Sequence, residues 1–123
     1  KNLINSKIID SPEDISIYLN NLRLILSAGG LSAYEFACSR IPQLITVLDN
    51  HQLKIAKMIE EKKCGEILSR SSQFNKRKIS NKFINCYNNT SKLIKINKSS
   101  KKLIKNSGCE KIIFNILKLY NGY

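Results

Sequence analysis

The chain has 123 residues, of which 21 are lysine or arginine and nine are aspartate or glutamate, so its formal net charge at pH 7 is +12. This length suits a single domain with one hydrophobic core. No apolar run approaches the roughly 20 residues of a membrane span, and no basic stretch leads into an apolar signal region, so we expect a cytoplasmic protein without a membrane span.

The positive charge is concentrated in the second half of the chain. Residues 1–69 hold eight basic and eight acidic residues, whereas residues 70–123 hold thirteen basic residues and a single acid, Glu110. Such a segment attracts phosphates, nucleic acids or an anionic membrane surface. A solvated basic face without a specific partner has the same composition.

The cysteines argue against a metal centre. Cys38, Cys64, Cys86 and Cys109 are far apart and form no C-x-x-C pair, and His51 is the only histidine. Zinc ligands normally come in close pairs. We therefore expect free, partly buried thiols, no metal and no cofactor.

The first half of the chain alternates short helices with apolar strands. Ser11 and Pro12 are predicted to be the N-cap and the first helical position of a short helix ending near Asn21. Apolar runs predict buried strands, and an amphipathic stretch predicts a longer helix. The predicted elements are then a strand over 22–28, a helix over 31–40, a strand over 43–48, a helix over 51–63 with Gly65 as its C-cap glycine, a short strand over 65–68 and another at 6–10.

Strands that alternate with helices of about ten residues indicate βαβ units. We predict an α/β fold, with a Rossmann-like parallel sheet flanked by helices and a helical C-terminal segment. Residues 1–69 form the βαβ core, residues 70–78 form a polar, basic loop, and residues 79–123 form helices packed on the same domain. In that last part, helical spacing of apolar residues begins at Ile79 and continues to Ile104. A stop is predicted at residues 106–108 and a final amphipathic helix over residues 109–120.

Two glycines follow the first long strand in the run S-A-G-G-L-S-A-Y-E. Gly29 and Gly30 permit a sharp turn and the close approach of a ligand. A helix that begins near Leu31 or Ser32 presents free N–H groups and a positive dipole end, which favour a phosphate. Ser32 adds a hydroxyl, and Glu35, one turn on, offers a carboxylate to the two hydroxyls of a ribose. Alternatively, Ser32 is only an N-cap and Glu35 is only a solvent-facing helix residue.

A second polar cluster follows the next predicted strand. If the two strands are neighbours, Asn50 and Gln52 face the same crevice as Gly30 and Ser32, because ligands of open α/β sheets bind at the carboxyl ends of the strands. His51 lies between them without a positioned partner, and an exposed loop histidine explains it better than a catalytic one.

These residues resemble a known family. The run L-S-A-G-G-L-S-A-Y-E, the dipeptide Ile41-Pro42, the strand Q-L-I-T-V-L and the cluster N-H-Q are similar to the C-terminal domain of two-domain GT-B nucleotide-sugar enzymes. The nearest in pattern is the UDP-sugar hydrolase of pseudaminic acid biosynthesis with its spore-coat polysaccharide relatives. The peptidoglycan N-acetylglucosaminyltransferase is a more distant likeness. The resemblance is specific over residues 14–68 and loose beyond them.

The resemblance implies roles for the site residues. Gly29, Gly30, the backbone of Leu31 and Ser32 would hold the diphosphate of UDP, Glu35 would hold the ribose, and the amides of Asn50 and Gln52 would lie near the sugar or the phosphate. In this family the catalytic histidine comes from an N-terminal domain that has no counterpart in these 123 residues. The expected function is therefore UDP-sugar binding, with catalysis dependent on a missing N-terminal domain. The alternative is a basic nucleic-acid-binding or protein-interaction module, although no interleaved aromatic residues support nucleic-acid binding.

Overall fold

The computed structural model describes residues 7–10, 13–103, 115, 117 and 118 of the chain. Residues 13–103 form three β-strands, five α-helices and one 3-10 turn. In chain order these are α1 (Ser16–Leu19), β1 (Ile25–Ala28), α2 (Ser32–Cys38), β2 (Gln43–Val47), α3 (Asn50–Glu61), β3 (Glu66–Arg70), the 3-10 turn Ser71–Gln73, α4 (Lys76–Asn88) and α5 (Thr90–Leu103).

The sheet is parallel and its strands lie in sequence order, β1-β2-β3. Ser27 of β1 lies opposite Ile45 of β2, which in turn lies opposite Ile67 of β3. An irregularity between Ile45 and Thr46 shifts the register, so that Thr46 lies opposite Ser69. Helices connect the strands and flank the sheet, which confirms the predicted α/β, Rossmann-like fold with a helical C-terminal part.

One face of the sheet is covered by α2 and α3. Ile45 and Val47 of β2 project towards this face and are almost fully buried. The helices present small residues to them, and small side chains let a helix approach a sheet closely while larger ones fill the remaining space. The buried cluster on this face comprises Ala33, Ala37, Ile45, Val47, Ala56, Ile59 and Cys64.

The opposite face is covered by α4 and the first half of α5. Leu44, which alternates with Ile45 across the pleat, packs there against Cys86 and Leu93. Farther along α5, Leu103 packs against the core of the first face. Between these points Asn97 Nδ2 donates a hydrogen bond of 2.8 Å to the carbonyl oxygen of Arg40, at the C-terminal end of α2. Helix α5 therefore passes from one face to the other around the amino ends of the strands.

Two helices end in the same hydrogen-bonded motif. After α3, the N–H of Lys63 donates to the backbone carbonyl oxygen of Glu60, and the N–H of Cys64 donates to that of Ile59, both at 2.9 Å. Lys63 has a φ of 58°. This is a Schellman ending, with a left-handed residue one position beyond the C-cap. Arg40, with a φ of 59°, has the same place after α2. The prediction that Gly65 is the C-cap glycine of α3 is wrong, because Lys63 occupies the left-handed position.

Gly65 is required for close packing. A Cβ atom at Gly65 would lie 2.6 Å from Cγ of Gln43 and 2.9 Å from the Gln43 carbonyl oxygen. Gln43 is itself fully buried, and its Nε2 donates a hydrogen bond of 2.8 Å to the carbonyl oxygen of Ala33. The glycine thus lets β3 begin against β2, with a glutamine amide joining β2 to α2 beside it.

Several predicted boundaries differ from the structure. The first long strand begins at Ile25 and not at Leu22, since Asn20 and Asn21 form a turn in which Asn21 has a φ of 75°. Residues 7–10 form no strand. Strand β3 runs to Arg70 and α4 begins at Lys76, so the segment predicted as a loop is largely structured. Helix α1 has Ile15 as its N-cap.

Some predictions fall outside the described residues. They are the N-cap Ser11 with Pro12, the stop at residues 106–108, Ile104, and most of the final helix, of which only residues 115, 117 and 118 are described and are helical. Within the described part of the chain, no helix has the length and apolar character needed to cross a lipid bilayer.

Candidate nucleotide site at the carboxyl end of the sheet

The turn between β1 and α2 packs directly on the start of α3. A Cβ atom at Gly29 would lie 2.9 Å from the carbonyl oxygen and 3.0 Å from the Cβ of Gln52. The φ of Gly29 lies outside the left-handed region, so what requires a glycine here is space. The contact joins the two loops that the sequence predicts to form one crevice.

The N-terminal end of α2 is open. Leu31 is the N-cap and no side chain caps the helix. The N–H groups of Ala33 and Tyr34 donate to the carbonyl oxygens of Gly30 and Leu31, at 3.1 and 2.9 Å. The N–H groups of Leu31 and Ser32 have no acceptor among the described residues. A Cβ atom at Gly30 would meet nothing within 4 Å, so a ligand has room above the turn.

Ser32 and Glu35 lie on the solvent-facing side of α2. The buried residues of this helix are Ala33, Phe36 and Ala37, and positions 32 and 35 both fall on the opposite side, one turn apart. Over residues 13–103 the Glu35 carboxylate has neither a hydrogen bond nor an ion pair. Its oxygens are therefore available to a ligand held at the turn.

The loop between β2 and α3 is fixed by a reciprocal cap. Asp49 is the N-cap of α3, and its carboxylate accepts a hydrogen bond of 2.9 Å from the Gln52 N–H. In return, Gln52 Oε1 accepts a hydrogen bond of 3.0 Å from the Leu48 N–H. The pattern D-x-x-Q before an apolar run is typical of a capping box, and it marks Asp49 as an N-cap that was not among the predicted residues. Gln52 Oε1 is used in the cap, and the Nε2 hydrogens of the same side-chain amide remain free to donate to a ligand.

The structure places Asn50 and Gln52 on two sides of the first turn of α3. Gln52 contacts Gly29 on the β1 side. Asn50 lines a cavity of about 250 Å³ on the β3 side, together with Asp49, Arg70 and Ser71. Ser71 closes the floor of this cavity by donating a hydrogen bond of 3.1 Å to the Leu48 carbonyl oxygen. The structure therefore brings Gln52 to the β1–α2 turn and places Asn50 in an adjoining cavity.

Arg70 is a candidate binding residue that the sequence analysis missed. It is the last residue of β3 and is exposed at the same end of the sheet as the other candidates. The apolar run that predicts this strand ends at Leu68, so the predicted loop begins with Arg70. His51 is exposed and has no hydrogen-bond partner among the described residues, so its environment provides no partner for catalysis.

The thiols take no part in this site. Cys64 and Cys86 are free and buried, and burial raises the pKa of both thiols above the ordinary value of 9.0. Cys38 is free and exposed. Within the described ranges, no group of three or more histidine, cysteine, aspartate or glutamate side chains is arranged to hold a metal ion.

Comparison of the chain with protein-family models, with curated proteins and with solved structures finds no match in any of the three.

Proposed function

We propose that this chain is the nucleotide-binding half of a cytoplasmic enzyme that acts on UDP-sugars, either a sugar-nucleotide hydrolase or a glycosyltransferase, in surface-polysaccharide or nonulosonic acid biosynthesis. The observation that carries the proposal is the contact of Gly29 with Gln52. It joins the two loops at the carboxyl end of a parallel sheet, where α/β folds bind nucleotides. The resemblance of the run from Ser27 to Glu35 to the GT-B enzymes supplies the substrate class.

In this proposal the diphosphate lies over the β1–α2 turn. The unpaired N–H groups of Leu31 and Ser32 donate to its oxygens, and the open space above Gly30 lets the phosphate approach the backbone. Glu35 accepts from the ribose hydroxyls. The amide of Gln52 donates to the phosphate or the sugar, and Asn50 contacts the part of the substrate that enters the adjoining cavity.

The chemical contribution of this half is electrostatic. When the bond between the anomeric carbon and the phosphate oxygen breaks, negative charge grows on the departing UDP. N–H groups already aimed at the diphosphate stabilise that charge without reorganisation. The general base that activates the attacking water or acceptor hydroxyl belongs to a further domain, as in the enzymes that the chain resembles.

Titration of the chain with UDP, followed by backbone amide NMR in moderate salt, tests the proposal. We expect saturable shifts at Gly29, Gly30, Leu31 and Ser32. Glu35→Ala should weaken binding about tenfold, because a charged hydrogen bond to the ribose is lost. Glu61→Ala, which makes the same change near the far end of α3, should leave binding unchanged. Absence of shifts up to millimolar UDP, or equal losses in both variants, would contradict the proposal.

A further inference from the structure

A groove rich in lysine lies at the opposite end of the sheet from the candidate nucleotide site. It runs between the C-terminal end of α3 and helix α5 and consists of two adjoining cavities, of about 290 and 270 Å³, which share Ser99. Five lysines line it. They are Lys62, Lys63, Lys92, Lys95 and Lys102.

The acidic residues of the groove are already engaged. Glu60 Oε1 accepts a hydrogen bond of 2.9 Å from the Ile67 N–H. Both carboxylate oxygens of Glu66 contact Lys92 Nζ, at 2.7 and 2.9 Å. The other four lysines have no ion pair in the part of the chain that the structure describes. The five lysines and two glutamates of the lining have a net charge of +3, which focuses an electrostatic field inside a concave surface.

The lysines of α5 form a stripe along the groove. Lys92, Lys95, Ser99 and Lys102 follow one another at intervals of three or four residues, which places them on one side of the helix. From Lys92 to Lys102 the stripe is about 15 Å long, at about 1.5 Å per residue. Since Lys92 is paired, the free cations are spread along the groove from Lys95 towards Lys102, with those of α3 opposite them. This arrangement suits a row of phosphates better than a single anion.

The rest of the lining contains no base-stacking surface. Gly65, Ile96 and Leu103 complete the walls, and the residues that line the two cavities include no aromatic side chain. Proteins that bind single strands without sequence preference usually add aromatic stacking platforms to a basic groove, whereas here only the contacts of lysines with phosphates are available. A ligand here is therefore held by its backbone. The lysine ammonium groups also lie in a recess between the C-terminal end of α3 and helix α5. A single strand enters such a recess more easily than a duplex.

From these features we infer that the groove between α3 and α5 binds the phosphate backbone of single-stranded nucleic acid without sequence preference. The site is independent of the proposed UDP site, because it lies at the amino ends of the strands while that site lies at their carboxyl ends. Each neutralised phosphate releases bound counterions, so affinity falls steeply with salt.

Fluorescence anisotropy with a labelled oligoadenylate of about 12 nucleotides tests the inference; adenylate avoids any affinity of the UDP site for uridine. We expect saturable binding with a slope of log K against log salt of about −2 to −3, at about −0.7 for each of three or four phosphates. The double change Lys95→Glu and Lys102→Glu should weaken binding at least tenfold. Lys95→Gln with Lys102→Gln, which removes charge without reversing it, should weaken binding less.

The matched control is Lys54→Glu with Lys57→Glu, on the exposed side of α3 outside the groove. It changes the net charge equally and should reduce affinity less than about threefold, since neither side chain lines the groove and salt screens exposed charges. Equal losses in groove and control variants would overturn the inference in favour of attraction by net charge alone. Tighter binding of a duplex of the same length, or displacement of the RNA by millimolar UDP, would also overturn it.

Discussion

The glycines of this chain meet different physical demands. A Cβ atom at Gly29 would lie 2.9 Å from the backbone of Gln52, and one at Gly65 would lie 2.6 Å from Gln43. Gly30 has nothing within 4 Å of an added Cβ. Packing thus explains the first two glycines. No contact of the protein itself requires a glycine at position 30, and the proposed diphosphate position would supply a reason for it.

This difference makes Gly30→Ala and Gly29→Ala a matched pair. Gly30→Ala should leave the free energy of unfolding within about 0.5 kcal/mol of the parent but weaken UDP binding about tenfold, because the methyl group occupies the phosphate position. Gly29→Ala should destabilise the fold by about 1–3 kcal/mol, as overpacking against backbone does. Urea denaturation and UDP titration measure both effects. Undiminished UDP binding by Gly30→Ala would contradict the proposed position of the diphosphate.

Burial also separates the thiols by reactivity. Cys38 is exposed, whereas burial raises the pKa of Cys64 and Cys86. Peptide-resolved alkylation at pH 8 should modify Cys38 rapidly and the two buried thiols only after addition of denaturant, because thiolate is the reactive form. Labelling of Cys64 or Cys86 as fast as Cys38 in the native protein would show that the core described for them is open.

The same pKa shifts predict a pH dependence of stability. Above the ordinary thiol pKa of 9.0 the unfolded chain releases protons that the folded chain retains at Cys64 and Cys86. Unfolding then releases protons, so the contribution of these thiols is complete below pH 9 and is lost as the pH rises through their folded values. Between pH 8 and pH 10 the denaturant midpoint of the parent should therefore fall more, or rise less, than that of a Cys64→Ala and Cys86→Ala variant, which lacks both thiols. An equal change in parent and variant would contradict burial of the thiols.

At the scale of elements, helix ends determine where the site loops lie. Arg40 and Lys63 adopt left-handed conformations that close α2 and α3 and turn the chain back into β2 and β3. Side chains other than glycine are strained there, by roughly 1–2 kcal/mol. The protein keeps this strain at both helix ends on the amino side of the sheet.

Arg40→Gly should therefore stabilise the protein by about 0.5–1 kcal/mol, since the left-handed φ of 59° costs glycine nothing. Ser39→Gly is the control. The φ of Ser39, −74°, is unstrained for any residue. Glycine at this position adds conformational freedom to the unfolded chain and should lower the free energy of unfolding by up to about 1 kcal/mol. Chemical denaturation of both variants measures the opposite signs. A loss of stability in Arg40→Gly would show that the Arg40 side chain contributes more than its backbone strain costs.

The sequence predicts elements best where one periodicity extends over a whole element. Helix α3 and strand β2 are predicted to within two residues, because apolar residues recur at helical spacing in one and form a continuous β-branched run in the other. The end of β3 and the start of α4 were missed, since their residues are polar and only pairing with β2 and contact with the sheet order them. Because the end of β3 was not predicted, neither Arg70 nor the cavity that it lines was predicted.

The candidate site was predictable in its residues but not in its geometry. The glycine turn and the amide cluster follow from strand–loop–helix pattern alone. Gly29 contacts Gln52, while Asn50 faces the β3 side. Both placements depend on the order of the strands and the rotation of α3, which no local sequence pattern encodes. The capping role of Asp49 was readable from D-x-x-Q and shows that part of the polar cluster stabilises a helix end.

Across the whole molecule, α5 belongs to the basic half of the chain and packs against the neutral half. It packs on both faces of the sheet and brings its lysines beside those at the end of α3. Within residues 13–103 the only ion pair joins Glu66 and Lys92, against a formal net charge of +12 for the chain. Repulsion among like charges therefore opposes the folded state, with little attraction to offset it.

Salt should consequently stabilise this protein. Raising sodium chloride from about 50 mM to about 500 mM shortens the Debye length from beyond 10 Å to below 5 Å and screens the repulsion between exposed lysines. Thermal unfolding should shift upward by several degrees, which for a chain of this size corresponds to about 1 kcal/mol. Replacing Lys98 and Lys101, on the exposed side of α5, by glutamine should raise the melting temperature at low salt and reduce the further rise on adding salt. A melting temperature that falls as salt is added would mean that attractive pairs dominate, and that the lysines of α5 stabilise the fold instead of leaving their charge free for an anionic ligand.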